Sequence, residues 1–142
     1  EYGIVINIPT GETFMAEKGK GAFFNNNRII APQHTPRKLI YSVMLEKKVP
    51  DTILQGHMRA MGSSSLEMCL VARGSIDCFA CLKEYLRVTD IAASTLIVRE
   101  AGGYVYDMEG KELDMPLDVA ERTSVIAAPR EDIIFRLLES NP

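Results

Sequence analysis

The chain has no tryptophan, only two histidines and only three cysteines among its 142 residues. A small, odd number of cysteines does not build a disulfide framework. The formal net charge of −3 gives no reason to expect a nucleic-acid partner. No apolar run reaches the length of a membrane span, and the start, EYGIVINIPTGE, lacks the features of a signal peptide. We therefore expect a cytoplasmic protein that binds neither nucleic acid nor membranes.

Cys78 and Cys81 form a C-x-x-C pair, a spacing that occurs in zinc and redox sites. No second pair and no nearby histidine accompanies it. Residues three apart on a strand point to opposite faces, so we interpret both thiols as part of the core. His34 and His57 each stand alone on a predicted connecting segment, and we assign neither a ligand role.

The first 30 residues predict an antiparallel meander, because short apolar stretches alternate with Gly, Asn and Pro turns. The predicted strands cover residues 2–8, 12–17, 22–24 and 28–30. Residues 31–37, APQHTPR, contain two prolines and predict a linker. We therefore divide the chain into a piece of an antiparallel sheet, residues 1–31, and a C-terminal α/β domain, residues 38–142.

Strands and helices alternate in the second part, which predicts helices on both faces of a mixed sheet. The predicted strands are residues 39–44, 76–81, 103–107 and 124–128, with residues 111–115 returning as an edge strand. The predicted helices are residues 49–61, a helix from Ser65 to Gly74, a helix from Thr89-Asp90 to Gly102-Gly103, and a last helix that opens at Pro129. Ser64 and Glu67 have the spacing of a capping box for the second of these helices.

Asp90 lies at the start of a helix whose circumference is almost entirely apolar. A carboxylate in that position must be hydrogen-bonded, paired or bound to a metal. Either Thr89 or Asp90 is able to cap the helix, so the residues alone leave two readings of Asp90 open: an N-cap or a metal ligand.

Three stretches resemble the inositol monophosphatase family. They are AEKGKGAFFNNNRI from residue 16, GSSSLEMCLVARGSID from residue 62, and the segment from TDIAAS through VREAGGYVYD, which begins at residue 89. The connector LKEYLRV and the pair Val88-Thr89 are most similar to the archaeal branch that acts on both inositol phosphate and fructose 1,6-bisphosphate. The resemblance implies the C-terminal part of a layered αβαβα phosphatase fold.

The resemblance implies a Mg²⁺-dependent phosphomonoesterase that is cytoplasmic and a homodimer. Asp90 falls on the family's metal-ligating aspartate. Gly62, Ser63 and Ser64 fall on the turn that contacts sugar or inositol hydroxyls, and plain N-capping is the alternative for them. Many members carry, where Cys81 stands, an acid that contacts an inositol hydroxyl, so the resemblance does not single out inositol as the substrate. Lys83 and Arg87 in the longer connector are candidates for binding a second phosphate, with a solvated basic loop as the alternative.

The family's Glu-Glu strand and its D-P-(I/L)-D-G-(T/S) loop do not occur in the 142 residues. Asp77, Asp107 and Asp114 have no acidic partner at metal-ligand spacing and do not replace them. We therefore expect the C-terminal half of such a phosphatase, with the upstream half of the same protein as its partner. A non-catalytic sugar-phosphate-binding or interaction domain is the alternative, and a redox module that uses Cys78 and Cys81 is the least favoured hypothesis.

Overall fold

A computed structural model describes residues 1–34, 38–44 and 49–140. Within these ranges the strands are β1 (Tyr2–Asn7), β2 (Glu12–Glu17), β3 (Gly21–Phe24), β4 (Asn27–Ile29), β5 (Ile40–Met44), β6 (His57–Arg59), β7 (Cys78–Arg87), β8 (Tyr104–Tyr106) and β9 (Arg122–Ala128). The helices are α1 (Asp51–Leu54), α2 (Ser64–Arg73), α3 (Val88–Glu100) and α4 (Glu131–Glu139).

The predicted meander is confirmed as a sheet with the strand order β1-β2-β3-β4, in which all neighbours are antiparallel. Asn25 and Asn26 have φ values of 45° and 65° in the turn between β3 and β4, a conformation that asparagine tolerates better than most residues. Glu100, at the end of α3, accepts hydrogen bonds of 2.9 Å from the amides of Gly19 and Gly21. This contact fastens the meander to α3.

The second sheet is mixed and has the order β6-β5-β7-β9-β8. β5 is parallel to both β6 and β7, whereas β9 is antiparallel to β7 and β8. Helices α2 and α3 lie between the two sheets and contact each other as well as strands of both. The predicted fold class is therefore confirmed: a mixed sheet with flanking helices beside an antiparallel meander.

Two apolar cores hold these layers together. The first joins the meander, α2, α3 and one face of the mixed sheet, and includes Phe14, Met68, Phe79 and Ile97. The second lies on the other face of the mixed sheet under α1 and α4, and includes Tyr41, Ile53, Ile126, Ile134 and Leu137. Because α2 and α3 are covered on both sides, the nearly all-apolar circumference of each helix is accounted for.

The predicted helix over residues 49–61 is wrong in its second half. The structure forms a single turn of helix, α1, and then the edge strand β6. Gly56 explains the break, because a Cβ atom there would lie 2.5 Å from the carbonyl oxygen of Leu39 and 2.7 Å from the ring of Tyr41. The backbone therefore passes directly against β5 and pairs with it, instead of continuing as a helix.

Three other boundaries differ from the prediction. The strand expected at residues 76–81 is the longer β7, because the connector LKEYLRV continues the strand and pairs with β9 after an irregularity between Cys81 and Leu86. Residues 111–115 contribute one isolated bridge, Tyr106 to Glu112, rather than a strand. The last helix begins at Glu131 rather than Pro129.

Residues 35–37 of the predicted linker lie outside the described residues, and the division at residues 31 and 38 stays a prediction. The first apolar core nevertheless contains residues from both sides of that segment, among them Ala22 and Cys69. In the part of the chain that the structure describes, no helix has the length and apolarity needed to cross a bilayer.

One face of the meander is apolar and exposed. Tyr2, Ile4 and Ile6 alternate with residues that face the helices, and the exposed fractions of the two isoleucines are 53% and 55%. Among the described residues, β1 pairs on one side only, with β2. An unpaired edge strand with an apolar face is a site where another chain readily associates.

We expect the 142-residue chain to self-associate through this face, because association removes the isoleucine side chains from water. In sedimentation velocity at micromolar concentrations, the Ile4→Thr, Ile6→Thr double variant should sediment more slowly than the unchanged chain. Val119→Thr, which replaces an apolar residue that is 73% exposed elsewhere, is the matched control and should behave like the unchanged chain. If the unchanged chain sediments as a monomer and unfolds cooperatively, this expectation is wrong.

Candidate active site

The segment before α2 forms the turn for which a ligand-binding role was predicted. Gly62 has a φ of +83°, which lies in the left-handed region that glycine adopts without a steric penalty. The hydroxyl of Ser63 accepts a hydrogen bond from the amide of Leu66 at 3.4 Å and caps the helix. Ser64 Oγ contacts the sulfur of Met44 at 3.4 Å. The cap is therefore Ser63, one residue before the predicted Ser64.

Glu67 is almost completely buried, with 2% of its surface exposed. Its Oε1 atom accepts hydrogen bonds from the amide of Met61 and, at 3.3 Å, from the amide of Gly62. The predicted capping box is therefore corrected: the carboxylate reaches back beyond the cap residue to the two residues that precede it. The Ser-x-x-Glu spacing correctly indicated that Glu67 turns back toward the start of the helix. The cap itself lies one residue earlier than the spacing predicted.

Asp90 is the third residue of α3, whose N-cap is Arg87 without a side-chain hydrogen bond. The prediction that Thr89 or Asp90 caps this helix is wrong, because β7 continues to Arg87 and the helix follows without an intervening loop. The Asp90 side chain is exposed, and in the described part of the chain its carboxylate makes no hydrogen bond or ion pair. It is thus available to an external cation.

A hydrogen bond joins the turn to Asp90. The hydroxyl of Ser65, in the first turn of α2, donates to the backbone carbonyl oxygen of Asp90. The structure therefore brings the segment that contains Gly62, Ser63 and Ser64 next to Asp90, although 25 residues lie between Ser64 and Asp90 in the sequence. Sequence reasoning missed Ser65, because no sequence pattern reports which backbone carbonyl a serine contacts across two helices.

Asp90 also lines a cavity of about 460 Å³ at the junction of β7, β9 and α3. Arg87 and Arg122 lie on this cavity and are direct cross-strand partners on β7 and β9. Arg122 Nη1 donates to the carbonyl oxygens of Val119 and Glu121, both at 3.0 Å, so its guanidinium is held in place.

Sequence reasoning missed Arg122, since strand register between distant segments cannot be read from one sequence. The full lining is Glu84, Tyr85, Leu86, Arg87, Asp90 and Arg122.

Lys83 does not line this cavity. It lies half-buried in the irregular part of β7, between the pairing of Cys81 and that of Leu86. The structure therefore places Arg87 with Asp90 and Arg122, and places Lys83 apart from them. A substrate role for Lys83 stays a prediction.

Among residues 1–34, 38–44 and 49–140, no three His, Cys, Asp or Glu side chains lie together as a possible metal site. Two of the other aspartates have structural partners. Asp77 accepts from the amide of Ile40 at 2.7 Å, and Asp107 accepts from the amides of Glu109 and Lys111 at 2.9 Å. Asp90 is an oxygen donor of the kind that Mg²⁺ prefers, but a complete coordination sphere would need further ligands from outside these residues.

The C-x-x-C pair has no redox geometry. Cys78 belongs to the second apolar core and Cys81 to the first, so the two thiols face opposite sides of the mixed sheet, as predicted. Burial raises the pKa of both thiols, and it raises the pKa of Cys69 to about 12. Three buried thiols with raised pKa values favour packing over thiolate chemistry.

Comparisons with known proteins agree with this architecture. A sequence model described as the inositol monophosphatase family matches residues 1–140. The chain is 38% identical to a fructose-1,6-bisphosphatase/inositol-1-monophosphatase of Methanothermobacter thermautotrophicus, over 97% of this chain and 51% of that protein. It is 39% identical to a bifunctional NADP phosphatase/NAD kinase of Methanococcus maripaludis, over 90% of this chain and 25% of that protein.

A solved structure shows the same fold. It is a hypothetical protein from Pyrococcus horikoshii described as having similarities for inositol-1 monophosphatase, and it superimposes with a TM-score of 0.91 at 30% identity. The match covers 98% of this chain and 56% of the solved chain. The chain thus spans about half the length of several relatives that it matches. The family match over nearly the whole chain establishes that this protein belongs to the inositol monophosphatase family.

Proposed function

We propose that this chain is the C-terminal half of a Mg²⁺-dependent phosphomonoesterase that hydrolyses inositol monophosphate, fructose 1,6-bisphosphate or both. The observation that carries the proposal is the hydrogen bond from Ser65 to the Asp90 carbonyl, which unites the turn at residues 62–64 with an exposed, unpaired carboxylate. Relatives named as phosphatases with both substrates in their names support the choice of substrates.

Each part of the site has a role in this proposal. Asp90 would be one of the residues that hold Mg²⁺, and the ion would supply polarisation of the phosphate and activation of the attacking water. The turn at residues 62–64 binds hydroxyl groups of the sugar or inositol. The amides of Ser64 and Ser65 make no hydrogen bond within the described residues, so they are available as donors for such contacts. Arg87 and Arg122 bind a second phosphate when the substrate carries one.

The remaining metal ligands come, in this proposal, from the upstream half of the same protein. Two observations support a protein segment as the partner of this chain. The apolar face of β1 is exposed, as described above. In addition, a cavity of about 620 Å³ beside α3 and β1 is lined by Thr95 and Arg99, whose Oγ1 and Nε atoms are buried without hydrogen-bond partners. Homodimer formation and a cytoplasmic location stay predictions.

A non-catalytic sugar-phosphate-binding domain is the second candidate. The observation that favours it is that no three candidate metal ligands lie together in the described part of the chain. The two candidates differ in whether the protein of family length that contains this chain releases phosphate in the presence of Mg²⁺.

The first prediction from the proposed site concerns Asp90. Asp90→Asn, in the protein of family length, should abolish most Mg²⁺ binding and turnover, because a neutral amide replaces a charged ligand. The free energy of unfolding should change by no more than about 1 kcal/mol, which is the usual contribution of one charge at a helix N-terminus. Calorimetric Mg²⁺ titration, phosphate release and urea unfolding measure the three quantities.

Asp114→Asn is the matched control, since Asp114 is an exposed aspartate that lies on the other cavity. It should leave Mg²⁺ binding unchanged. If Asp90→Asn retains the Mg²⁺ requirement and rate of the unchanged protein, Asp90 is not a ligand.

The second prediction concerns Arg87. Arg87→Ala should lower kcat/KM for fructose 1,6-bisphosphate more than for inositol 1-phosphate, because only the bisphosphate has a group for the cavity between Arg87 and Arg122. The expected loss is about 1.5–3 kcal/mol of transition-state binding, the usual scale for a hydrogen bond to a charged group. Steady-state kinetics with both substrates measure it.

Arg28→Ala replaces an exposed arginine on β4 and serves as the control, with no expected change in the ratio of the two kcat/KM values. Equal losses for both substrates would assign Arg87 to the fold or to the phosphate that both substrates share. If kcat/KM falls for neither substrate, Arg87 is a solvated surface residue with no role in substrate binding.

A further inference from the structure

Glu67 is the one acidic or basic side chain among the buried residues of the described chain. Removing a carboxylate from water is costly unless strong hydrogen bonds replace the lost hydration. α2 has an apolar environment on both sides, so an apolar residue at this position would pack without that cost. The presence of a carboxylate therefore needs an explanation in its contacts.

Those contacts are specific. Oε1 of Glu67 accepts from two consecutive amides, those of Met61 and Gly62, which lie outside the helix and are themselves exposed. A charged acceptor makes stronger hydrogen bonds to amides than a neutral one. The negative charge also lies near the N-terminus of α2, where the helix dipole stabilises it. Glu67 thus fastens an exposed turn to a buried helix.

In the part of the chain that the structure describes, some of the backbone amides at the N-terminal end of α2 donate hydrogen bonds within the protein, and others do not. Glu67 takes the amides of Met61 and Gly62, and the hydroxyl of Ser63 takes that of Leu66. Within the described residues, the amides of Ser64 and Ser65 make no hydrogen bond. Ser64 and Ser65 are the first residues of α2, so the helix sets the direction of these two amides, and Glu67 sets the position of the backbone beside them at Met61 and Gly62.

The same segment is anchored at its other end, where Ser65 donates to the carbonyl oxygen of Asp90. Glu67 and Ser65 together fix the turn relative to Asp90. Without the Glu67 carboxylate, the amides of Met61 and Gly62 would lose the acceptor that holds them to α2. A displacement of about 1 Å in a substrate-positioning group is enough to weaken binding and rate substantially.

We propose that Glu67 is a positioning residue for the proposed phosphatase reaction: it holds the turn at residues 61–64 in the geometry that binds the hydroxyl groups of the substrate. The inference rests on the proposed function. Glu67 itself contacts neither the substrate nor the metal, and it acts through the backbone of Met61 and Gly62.

The test compares two carboxylates that each accept from two backbone amides. Glu67→Met removes the acceptor, and Glu67→Gln keeps a neutral one. Glu100→Met and Glu100→Gln make the same changes where the carboxylate holds Gly19 and Gly21, away from the site. For inositol 1-phosphate and the protein of family length, Glu67→Met should raise KM about tenfold and Glu67→Gln about threefold. In both Glu67 variants, kcat and the Mg²⁺ concentration for half-activation should stay within about threefold of their values in the unchanged protein.

Both Glu100 variants should lower Tm and leave KM unchanged, which separates positioning from general destabilisation. If Glu67→Met does not fold, the comparison of the two Gln variants still decides the matter. Equal KM values for the Glu67 and Glu100 variants would overturn the inference. If the unchanged protein hydrolyses no phosphomonoester, the proposed function is wrong and this inference is wrong with it. If the protein is active and KM is unchanged in both Glu67 variants, only this inference is wrong.

Discussion

The contact between the N-terminal ends of α2 and α3 is the constraint on which the candidate site depends. Ser65 donates to the carbonyl oxygen of Asp90, and this hydrogen bond joins two segments that lie far apart in the sequence. Neither helix is able to shift easily, because both are covered by the meander on one side and the mixed sheet on the other. Two rigid, buried helices therefore present an exposed turn and an exposed carboxylate at a common edge.

In both α2 and α3, residues at or just before the N-terminal end are exposed, and residues further along the helix are buried. The middle of α2 contributes Met68, Cys69 and Val71 to the first core, while Met61 and Gly62, just before the helix, are exposed. In α3 the exposed Asp90 directly precedes the buried Ile91. The exposed groups that we propose as ligand contacts are thus attached to elements whose positions are set by apolar packing, an arrangement that preserves the geometry of a site.

Much of the fold was predictable from local sequence signals. Alternating apolar residues and the asparagine turn predicted the meander, and Gly74 and Gly102 marked the ends of α2 and α3, where both have positive φ values. The opposite orientations of Cys78 and Cys81 followed from the two-residue period of a strand. These signals are encoded within a few residues of the feature that they predict.

The features that escaped prediction all depend on contacts between distant segments. β6 forms because the backbone at Gly56 packs against Leu39 and Tyr41, which no local pattern reports. The cross-strand pair of Arg87 and Arg122 follows from the register of β7 against β9. The position of Asp90 inside α3 rather than at its cap follows from the extension of β7, which is stabilised by pairing with β9 and not by its own sequence.

We propose that this chain supplies one part of a phosphatase site and that the rest of the site lies in another segment of the same protein. The direct measurement is Mg²⁺-dependent phosphate release from inositol 1-phosphate by the 142-residue chain alone, by the protein of family length, and by the chain mixed with the separately produced remainder. We expect no release above background from the chain alone, release by the longer protein, and recovery of activity in the mixture. Release by the chain alone at the rate of the longer protein would contradict the proposal.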